Sequence, residues 1–519
     1  MTTTDVGLAR ILELRAEISP DAPALHGEDG RSWTNREADL AAGGIARALA
    51  DAGVRPGDRV AAYVTNGPEL GLLLFGAWKL GAVPVTISSL YNAHELAESI
   101  EKTQPVLVVA DGARPDVVAA QGDLPVRLLA GEIDGVAPLD WQEGAAVPAP
   151  EAGPEDEACI LFTGGTTGRP KAVSVTHGGV RASLERLAGV SAGRPEGARG
   201  GADDAPPNLI ALPLFHSGGQ HALLFALHVG RGCVVWERFG LDRLERLMRE
   251  HRFDNLFLLP TMLFDIVHAE HDLPFDGVKS ILVAGQALSW SVRKAFEERY
   301  QVPILVNYGS TESGHIAGWT GRDMKAGLWK PGSAGRVYPD VELEIRDDDG
   351  AAQPVGTQGE VVVRSSLTRG YVDDEAASQE LVRDGWVHTG DIGYVDDDGV
   401  LWLVGRKRDM IKCGGFQVWP EEIEDELREH PLVRDVRVVG TPDDRLGEVP
   451  TALVVRAEDL VTGDDELRTQ LTAFARERLA HFKTPRRIEF VLELERSEAG
   501  KIKRGAVPDL AAAGEGSAS

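Results

Sequence analysis

The stretch Phe162 to Val173, FTGGTTGRPKAV, narrows what this chain can fold into more than any other part of it. The apolar run Ala158 to Phe162 before it reads as a buried strand, and Ala172 to Thr176 after it alternates small or apolar with polar, a second strand. Gly164, Gly165 and Gly168 can take backbone angles closed to other residues, so their amides can converge on one centre. Thr163, Thr166 and Thr167 add hydroxyl donors, and Lys171 adds a point charge. That is the inventory of a phosphate cradle. The P-loop of ordinary NTPases needs Gly-Lys-Ser/Thr running into a helix whose first amides hold the phosphate. Here Pro170 precedes the lysine, Ala172 follows it, and a strand comes next. A plain flexible hairpin accounts for the glycines, but not for three hydroxyls and a lysine together.

A chain of 519 residues is too long for one core and implies two or more domains. Its net charge of -27 repels phosphate backbones and anionic lipid, which argues against nucleic-acid or anionic-membrane binding. Any nucleotide site must therefore gather its cations locally. The opening MTTTDVGLARILELRAEIS has no basic region followed by an apolar stretch, so no signal peptide is expected. The longest apolar segment, around Leu70 to Leu80, is too short to span a bilayer and carries Lys79. Cys159, Cys233 and Cys413 are odd in number and far apart, against a disulfide framework or zinc site and in favour of the cytoplasm.

In chain order, Thr34 caps a helix-like run to Ala50, and strand, helix and strand follow over Arg59 to Val64, Pro68 to Leu80 and Val83 to Thr86. Val106 to Ala110 adds a buried strand, and the order implies a parallel sheet with crossovers. A polar insert, Ala192 to Pro207, reads as a surface loop. Strand signals at Leu209 to Leu212, Cys233 to Val235, Leu256 to Leu259, Ser280 to Val283 and Ile304 to Asn307 make a second α/β unit. From Gly335 to Val404 short alternating strands with turns at Asp347 to Gly350 and Asp396 to Gly399 make a β-rich subdomain. After Gly405 a small α+β unit follows, with helices at Pro420 to His430 and Asp465 to Leu479 and strands at Val436 to Val439, Ala452 to Val455 and Ile488 to Leu492. The expected fold is α/β, a large N-terminal domain of two α/β units and a β-rich subdomain, joined to a small mobile C-terminal α+β domain. The expected boundaries are 1–404, a hinge at 405–408, 409–510, and a disordered tail at 511–519.

Three further constellations carry chemistry. Asn307-Tyr308-Gly309-Ser310-Thr311-Glu312 follows a strand end, where α/β sheets place ligands. There a tyrosine offers a flat face for a purine, a threonine a phosphate donor and a glutamate a magnesium ligand. Leu212 to Gly219 puts His216 at an apolar helix start, with Gly218 leaving room beside it. Arg406, Lys407, Arg408 and Lys412 gather cations in an acidic chain where the domain pattern changes, ahead of Cys413-Gly414-Gly415-Phe416-Gln417. An ordinary exposed loop, a satisfied core histidine and a basic surface turn are the bland readings of the three.

Taken in order over Ala24 to Arg504, these motifs resemble the AMP-forming adenylate ligases: acyl- and aryl-CoA synthetases, firefly-type luciferases and peptide-synthetase adenylation domains. Gly500-Lys501-Ile502 is similar to that family's closing signature. The resemblance implies that Thr163 to Gly168, Lys171, Gln286, Asn307, Tyr308 and Thr311 hold ATP or AMP, and that Glu312 binds Mg2+. It implies that Asp391 and Arg406 grip the ribose, that Lys412 and Gln417 contact the adenylate phosphate, and that Lys501 is the catalytic lysine. His216, with Gly218, Gly285, Gly309 and Lys412, would face the acid, with His216 and Thr311 taking part in catalysis. Gly414 and Gly415 would lie on the thiol's path, and Arg408 would be the hinge. One departure is Ala284-Gly285-Gln286-Ala287-Leu288, where the family often has Gly-Gly/Ala-Ala-Pro-Leu; Gln286 there implies an unusual acid or one with a polar group.

The implied reaction joins a carboxylic acid to ATP, releases pyrophosphate, and passes the acyl group to CoA with release of AMP. The substrates are then the acid, ATP and CoA, with no nucleic acid and no transmembrane segment, and with a homodimer left open. Transfer to a carrier protein, an amine or an inorganic nucleophile such as nitrite is the alternative, and a nucleotide-binding protein without catalysis is a third reading.

Overall fold

The computed structural model describes residues 7–141, 147–163, 171–192, 205–286, 288–413, 416–443, 445–457 and 463–494. The expected loop at Ala192 to Pro207 and the tail at Ala511 to Ser519 lie wholly or largely outside them. No helix among the described residues is long and apolar enough to cross a membrane. The helix Asn35–Asp51 starts where Thr34 predicts it, in a capping box: the Thr34 hydroxyl accepts from Glu37 N, and the Glu37 carboxylate accepts from Thr34 N. The helix Pro68–Leu80 has proline in its first turn, where a missing amide costs nothing, and ends on Gly81 at φ +78°. Lys79 on that helix is buried between two carboxylates, 2.9 Å from both Glu13 Oε1 and Asp39 Oδ1. A lone charge could not be buried there, but a paired one can.

The described strands form three sheets. A seven-stranded sheet runs, neighbour to neighbour, through Thr368–Tyr371, Lys171–Thr176, Glu157–Thr163, Val83–Thr86, Arg59–Tyr63, Leu107–Asp111 and Val126–Ala130. Its inner members from Glu157–Thr163 onward pair in parallel, as the strand-helix-strand order predicts. Leu161 and Val109 of this sheet and Ile210 and Val235 of the next belong to one buried cluster with Ile45, Leu72 and Leu223 from helices. One core thus serves two sheets.

The second sheet departs from the sequence reading. The second α/β unit and the β-rich subdomain are joined in one fourteen-stranded sheet. Strand Ile304–Ser310 joins them: Ile304 to Val306 pair in parallel with Ser280–Val283, and Asn307 to Ser310 pair antiparallel with Gly314–Gly318. Asn307 to Ser310 are therefore strand, not the loop after a strand. Two strands near the N-terminus that were not anticipated, Pro23–Gly27 and Ser32–Thr34, close the far edge of this sheet against Cys233–Val235. Thr368–Tyr371 leaves the β-rich region and pairs with Lys171–Thr176 in the other sheet. Such pairings join residues hundreds of positions apart, and no local pattern encodes them.

The small unit has a sheet of five strands, in which Val433–Asp443 pairs antiparallel along the length of Gly447–Arg456. Helices Pro420–Arg428 and Asp464–Arg478 pack their apolar faces, including Ile423, Leu427, Leu467 and Leu471, on Val436, Val438 and Val454. The first helix stops at Arg428, two residues short of the expected end at His430.

Candidate functional site

A cleft of about 3240 Å³ runs along strands Asn208–Ile210, Asn255–Leu258, Ser280–Val283 and Ile304–Ser310 and reaches the small unit. The two strands around the glycine-rich stretch are antiparallel neighbours, with Thr163 opposite Lys171. Both residues line the cleft. Gly164, Gly165, Thr166, Thr167 and Gly168 themselves lie outside the described residues, as do Gly414, Gly415 and Lys501.

Tyr371, which the sequence reading did not single out, ties this edge to the acidic residue predicted to hold magnesium. Lys171 Nζ sits 4.5 Å from the centre of the Tyr371 ring, and the Tyr371 hydroxyl donates to Glu312 Oε1 at 3.3 Å. Burial, and then the Glu312 charge, push the Tyr371 phenol well up, so it stays a donor. Tyr371 is in place because its strand pairs with the one that Lys171 begins. Among the described residues no group of three or more His, Cys, Asp or Glu could hold a metal alone. A single carboxylate beside a phosphate site fits the usual mode for Mg2+, which keeps waters and substrate oxygens as its other ligands.

Also lining the cleft, the Tyr308 hydroxyl donates to Asp391 Oδ2 at 2.6 Å, and Asp391 Oδ1 lies 3.0 Å from Arg406 Nε. Asp391 and Arg406 face each other across paired strands Trp386–Val395 and Val400–Arg406. Asp391 is buried, its amide accepted by Thr389 Oγ1. Burial, and then the Asp391 charge, push the Tyr308 phenol well above its ordinary value. Burial works against the Arg406 charge, yet Asp391 and the neighbouring Tyr308 and Asp409 hold its guanidinium above its ordinary value. The result is a fixed carboxylate–guanidinium pair beside an aromatic ring.

The helix Ser217–His228 brings in the third group. His216 is its N-cap and lines the cleft, and Ser217 Oγ is 2.8 Å from Thr311 Oγ1. Gly218 lines the cleft, and a Cβ added to it would lie 3.0 Å from Leu212 Cδ2 and 3.7 Å from Phe257 Cε1. Gly218 lets these apolar groups close in. Gly309 has a structural reason of its own, since a Cβ there would fall 2.1 Å from the Gly314 carbonyl oxygen across the strand pair. Gly285, at φ +91°, and Gln286 line the cleft beside Asn307.

From the small unit, Gln417 reaches the cleft wall and so does Arg408, which lies in the turn closed by Asp409 N donating to Arg406 O at 2.9 Å. Lys412 does not line the cleft; its side chain is exposed on strand Ile411–Cys413 while its amide donates to Glu448 Oε2 at 2.9 Å. The structure therefore gathers Thr163, Lys171, His216, Thr311 and Glu312 with Tyr308, Asp391 and Arg406, and leaves Lys412 aside. Ser217 could have been suspected, since it is a hydroxyl next to His216; Tyr371 could not, because the strand pairing that places it has no local signal.

The cleft is bordered by Thr163 and Lys171, which flank the glycine-rich stretch, and by Tyr308, Asp391 and Arg406, the residue types an adenylate-handling enzyme needs. The family model described as AMP-binding enzyme matches residues 12–372, and that of the AMP-binding enzyme C-terminal domain matches residues 422–501. The chain belongs to the AMP-binding enzyme family. It is 30% identical over 536 aligned residues to 4-coumarate–CoA ligase 3 of Oryza sativa subsp. japonica, covering 99% of this chain and 94% of that protein. Among solved structures, the anthranilate CoA ligase AuaEII in complex with anthranoyl-AMP superposes with a TM-score of 0.85 at 27% identity, over 97% of this chain and 96% of that one. The amide bond synthetase McbA from Marinactinospora thermotolerans superposes with a TM-score of 0.82 at 29% identity, over 96% and 98%.

Proposed function

We propose that this chain activates an aromatic carboxylic acid with ATP and transfers the acyl group to CoA. The observation that carries this reading is the convergence on one cleft of Lys171, linked through Tyr371 to Glu312, with the Tyr308–Asp391–Arg406 group. The aromatic class is supported by relatives and neighbours whose names specify 4-coumarate, 2-succinylbenzoate and anthranilate.

A carboxylate is a poor electrophile, and making it a mixed anhydride with AMP supplies a leaving group. In the first step a carboxylate oxygen bonds the α-phosphorus as the bond to pyrophosphate breaks. The obstacle is the approach of one anion to another. Lys171, and Lys501 by resemblance, offset the charge that spreads over the transferring group. Mg2+ held by Glu312 would neutralise phosphate charge in the same place. Asp391 accepts ribose hydroxyls, the ring of Tyr308 lies against the purine, and Thr311 donates to the α-phosphate. In the second step the CoA sulfur bonds the acyl carbon, its proton is lost and AMP departs. His216 stands at the mouth of the acid pocket between the two substrates. A swing of 409–510 about Arg408 would exchange the groups presented to each step.

A purified sample given Mg-ATP and a panel of aryl and fatty acids tests the reading. Acid-dependent pyrophosphate release before any thiol is added is the expected result, followed by CoA-dependent AMP release. Formation of ADP and phosphate alone would overturn it. The similarity to an amide bond synthetase favours a second reading with an amine as acceptor; amine-dependent, CoA-independent AMP release would select that one.

A further inference from the structure

The Thr311 hydroxyl, which the first step needs, is oriented from another element of the fold. Thr311 lies in the turn between strands Ile304–Ser310 and Gly314–Gly318. That turn fixes its own backbone: Ser310 Oγ accepts from Glu312 N at 3.2 Å and Ser313 N at 3.1 Å, and Ser313 Oγ accepts from Ser310 N at 3.2 Å. None of these bonds reaches the Thr311 side chain. Its hydroxyl meets Ser217 Oγ at 2.8 Å, 94 residues back along the chain.

Ser217 is a firm support. It opens the helix Ser217–His228, whose N-cap is His216, and two buried amide side chains pin that helix start to the core. Gln220 Nε2 donates to Leu214 O at 2.9 Å and to Thr86 Oγ1 at 3.2 Å. Asn66 Oδ1 accepts from Leu214 N at 2.7 Å, and Asn66 Nδ2 donates to Trp236 O at 2.6 Å. A serine at a helix start ordinarily turns its hydroxyl to a nearby backbone group. Ser217 instead directs it to Thr311, and both residues line the cleft.

Either hydroxyl can donate to the other, since each has one proton and two lone pairs. A phosphate oxygen decides the direction, because it only accepts. Thr311 then gives its proton to the phosphate and takes the Ser217 proton on a lone pair. Threonine is β-branched, with staggered positions that its hydroxyl and methyl can exchange. Without Ser217, no bond within the turn keeps the hydroxyl, rather than the methyl, towards the phosphate. A bond donated into Thr311 Oγ1 also polarises its O–H and strengthens the bond that it gives.

We propose that Ser217 is the positioning residue for Thr311, holding its hydroxyl so that the proton faces the α-phosphate. The inference rests on the acid-activating function above and adds the group that sets the geometry of its first step. A donor aimed at the transferring group matters most in the transition state. Its misplacement therefore shows in turnover more than in ATP binding.

The test measures pyrophosphate release with whichever acid of the panel above reacts fastest. Ser217→Ala should lower kcat about tenfold while the KM for ATP changes less than about twofold, which also reports that the site is folded. Ser217→Thr keeps the donor and should recover most of that loss. Ser217→Val has the same shape without the donor and should not. Adding Ser217→Ala to Thr311→Ala should cost less than about twofold more, because the hydroxyl it positions is already gone. The same loss of about tenfold in both backgrounds means that Ser217 acts without Thr311, and overturns the inference. So does a Ser217→Ala kcat equal to that of the unaltered protein, or a Ser217→Val variant as active as Ser217→Thr. All three results leave acid activation intact. No pyrophosphate from the unaltered protein with any acid overturns the function, and the inference with it.

Discussion

The Tyr308 hydroxyl and the Asp391 carboxylate are bonded at 2.6 Å between two strands of one sheet, leaving Asp391 aimed into the cleft with Arg406 on its other oxygen. Tyr308→Phe removes that tether and keeps the ring. The expected loss is about 1 kcal/mol, read as a rise of roughly fivefold in the KM for ATP with little change in kcat. Asp391→Ala should cost more, since it also leaves Arg406 without its partner. Steady-state kinetics at saturating acid decide it, and an unchanged KM for ATP in both variants would remove this pair from the nucleotide site.

Lys501→Ala separates the half-reactions. One well-placed cation in a water-poor site is worth about 3–4 kcal/mol, so pyrophosphate release should fall by roughly two to three decades. The same variant should still convert a supplied acyl-adenylate with CoA. Near-normal pyrophosphate release would mean that Lys501 is only a solvated lysine.

Arg408→Pro probes the swing of the small unit. Proline fixes φ and removes an amide donor in the turn that follows strand Val400–Arg406. The first half-reaction should persist while thioester formation drops at least about tenfold, as expected when a conformational step limits turnover. Equal loss in both would place the hinge elsewhere.

Asp396 offers a pH test of stability. It opens the turn to Gly399, and its carboxylate accepts from Lys330 Nζ at 2.7 Å, Trp402 Nε1 at 2.9 Å and the amides of Asp398 and Val400. Burial opposes its charge, but these donors outweigh it and bring the carboxyl from 3.8 down to about 2. A depressed carboxylate stabilises the fold above its unfolded value, and the contribution disappears as pH falls through the folded one. Asp396→Asn should therefore lower stability at pH 7 by on the order of 1 kcal/mol, allowing for solvent screening. Thermal melts of the two proteins should converge near pH 2; a constant difference across that range counts against the assignment.

The sequence disclosed what is local. Pro68–Leu80, Val83–Thr86, Cys233–Val235 and Ser280–Val283 have the bounds that their apolar runs and caps predict. Thr163, Lys171, Tyr308, Glu312, Asp391 and Arg406 were legible because each stands in a motif a few residues long. Tyr371 was not, since it matters only through partners that the fold brings in. Strand Ile304–Ser310 runs three residues past Asn307, the expected end, and the apolar run itself stops at Val306. Gly309 is there because its partner strand comes too close for a side chain, and nothing in the local pattern reveals such an approach.

Strand Thr368–Tyr371 has a consequence for how the protein is made. The Thr368 hydroxyl donates to the carbonyl of Ser174, 194 residues earlier, so the lip that presents Lys171 lacks its edge strand until synthesis has passed Tyr371. At about 5–20 residues per second the ribosome needs roughly 10–40 s to supply it. Throughout that interval Lys171–Thr176 shows a row of open amides and carbonyls to other nascent chains. Translation speed between codons 176 and 371, and chaperone occupancy of that window, therefore bear on the yield of active enzyme even though no residue of the cleft changes.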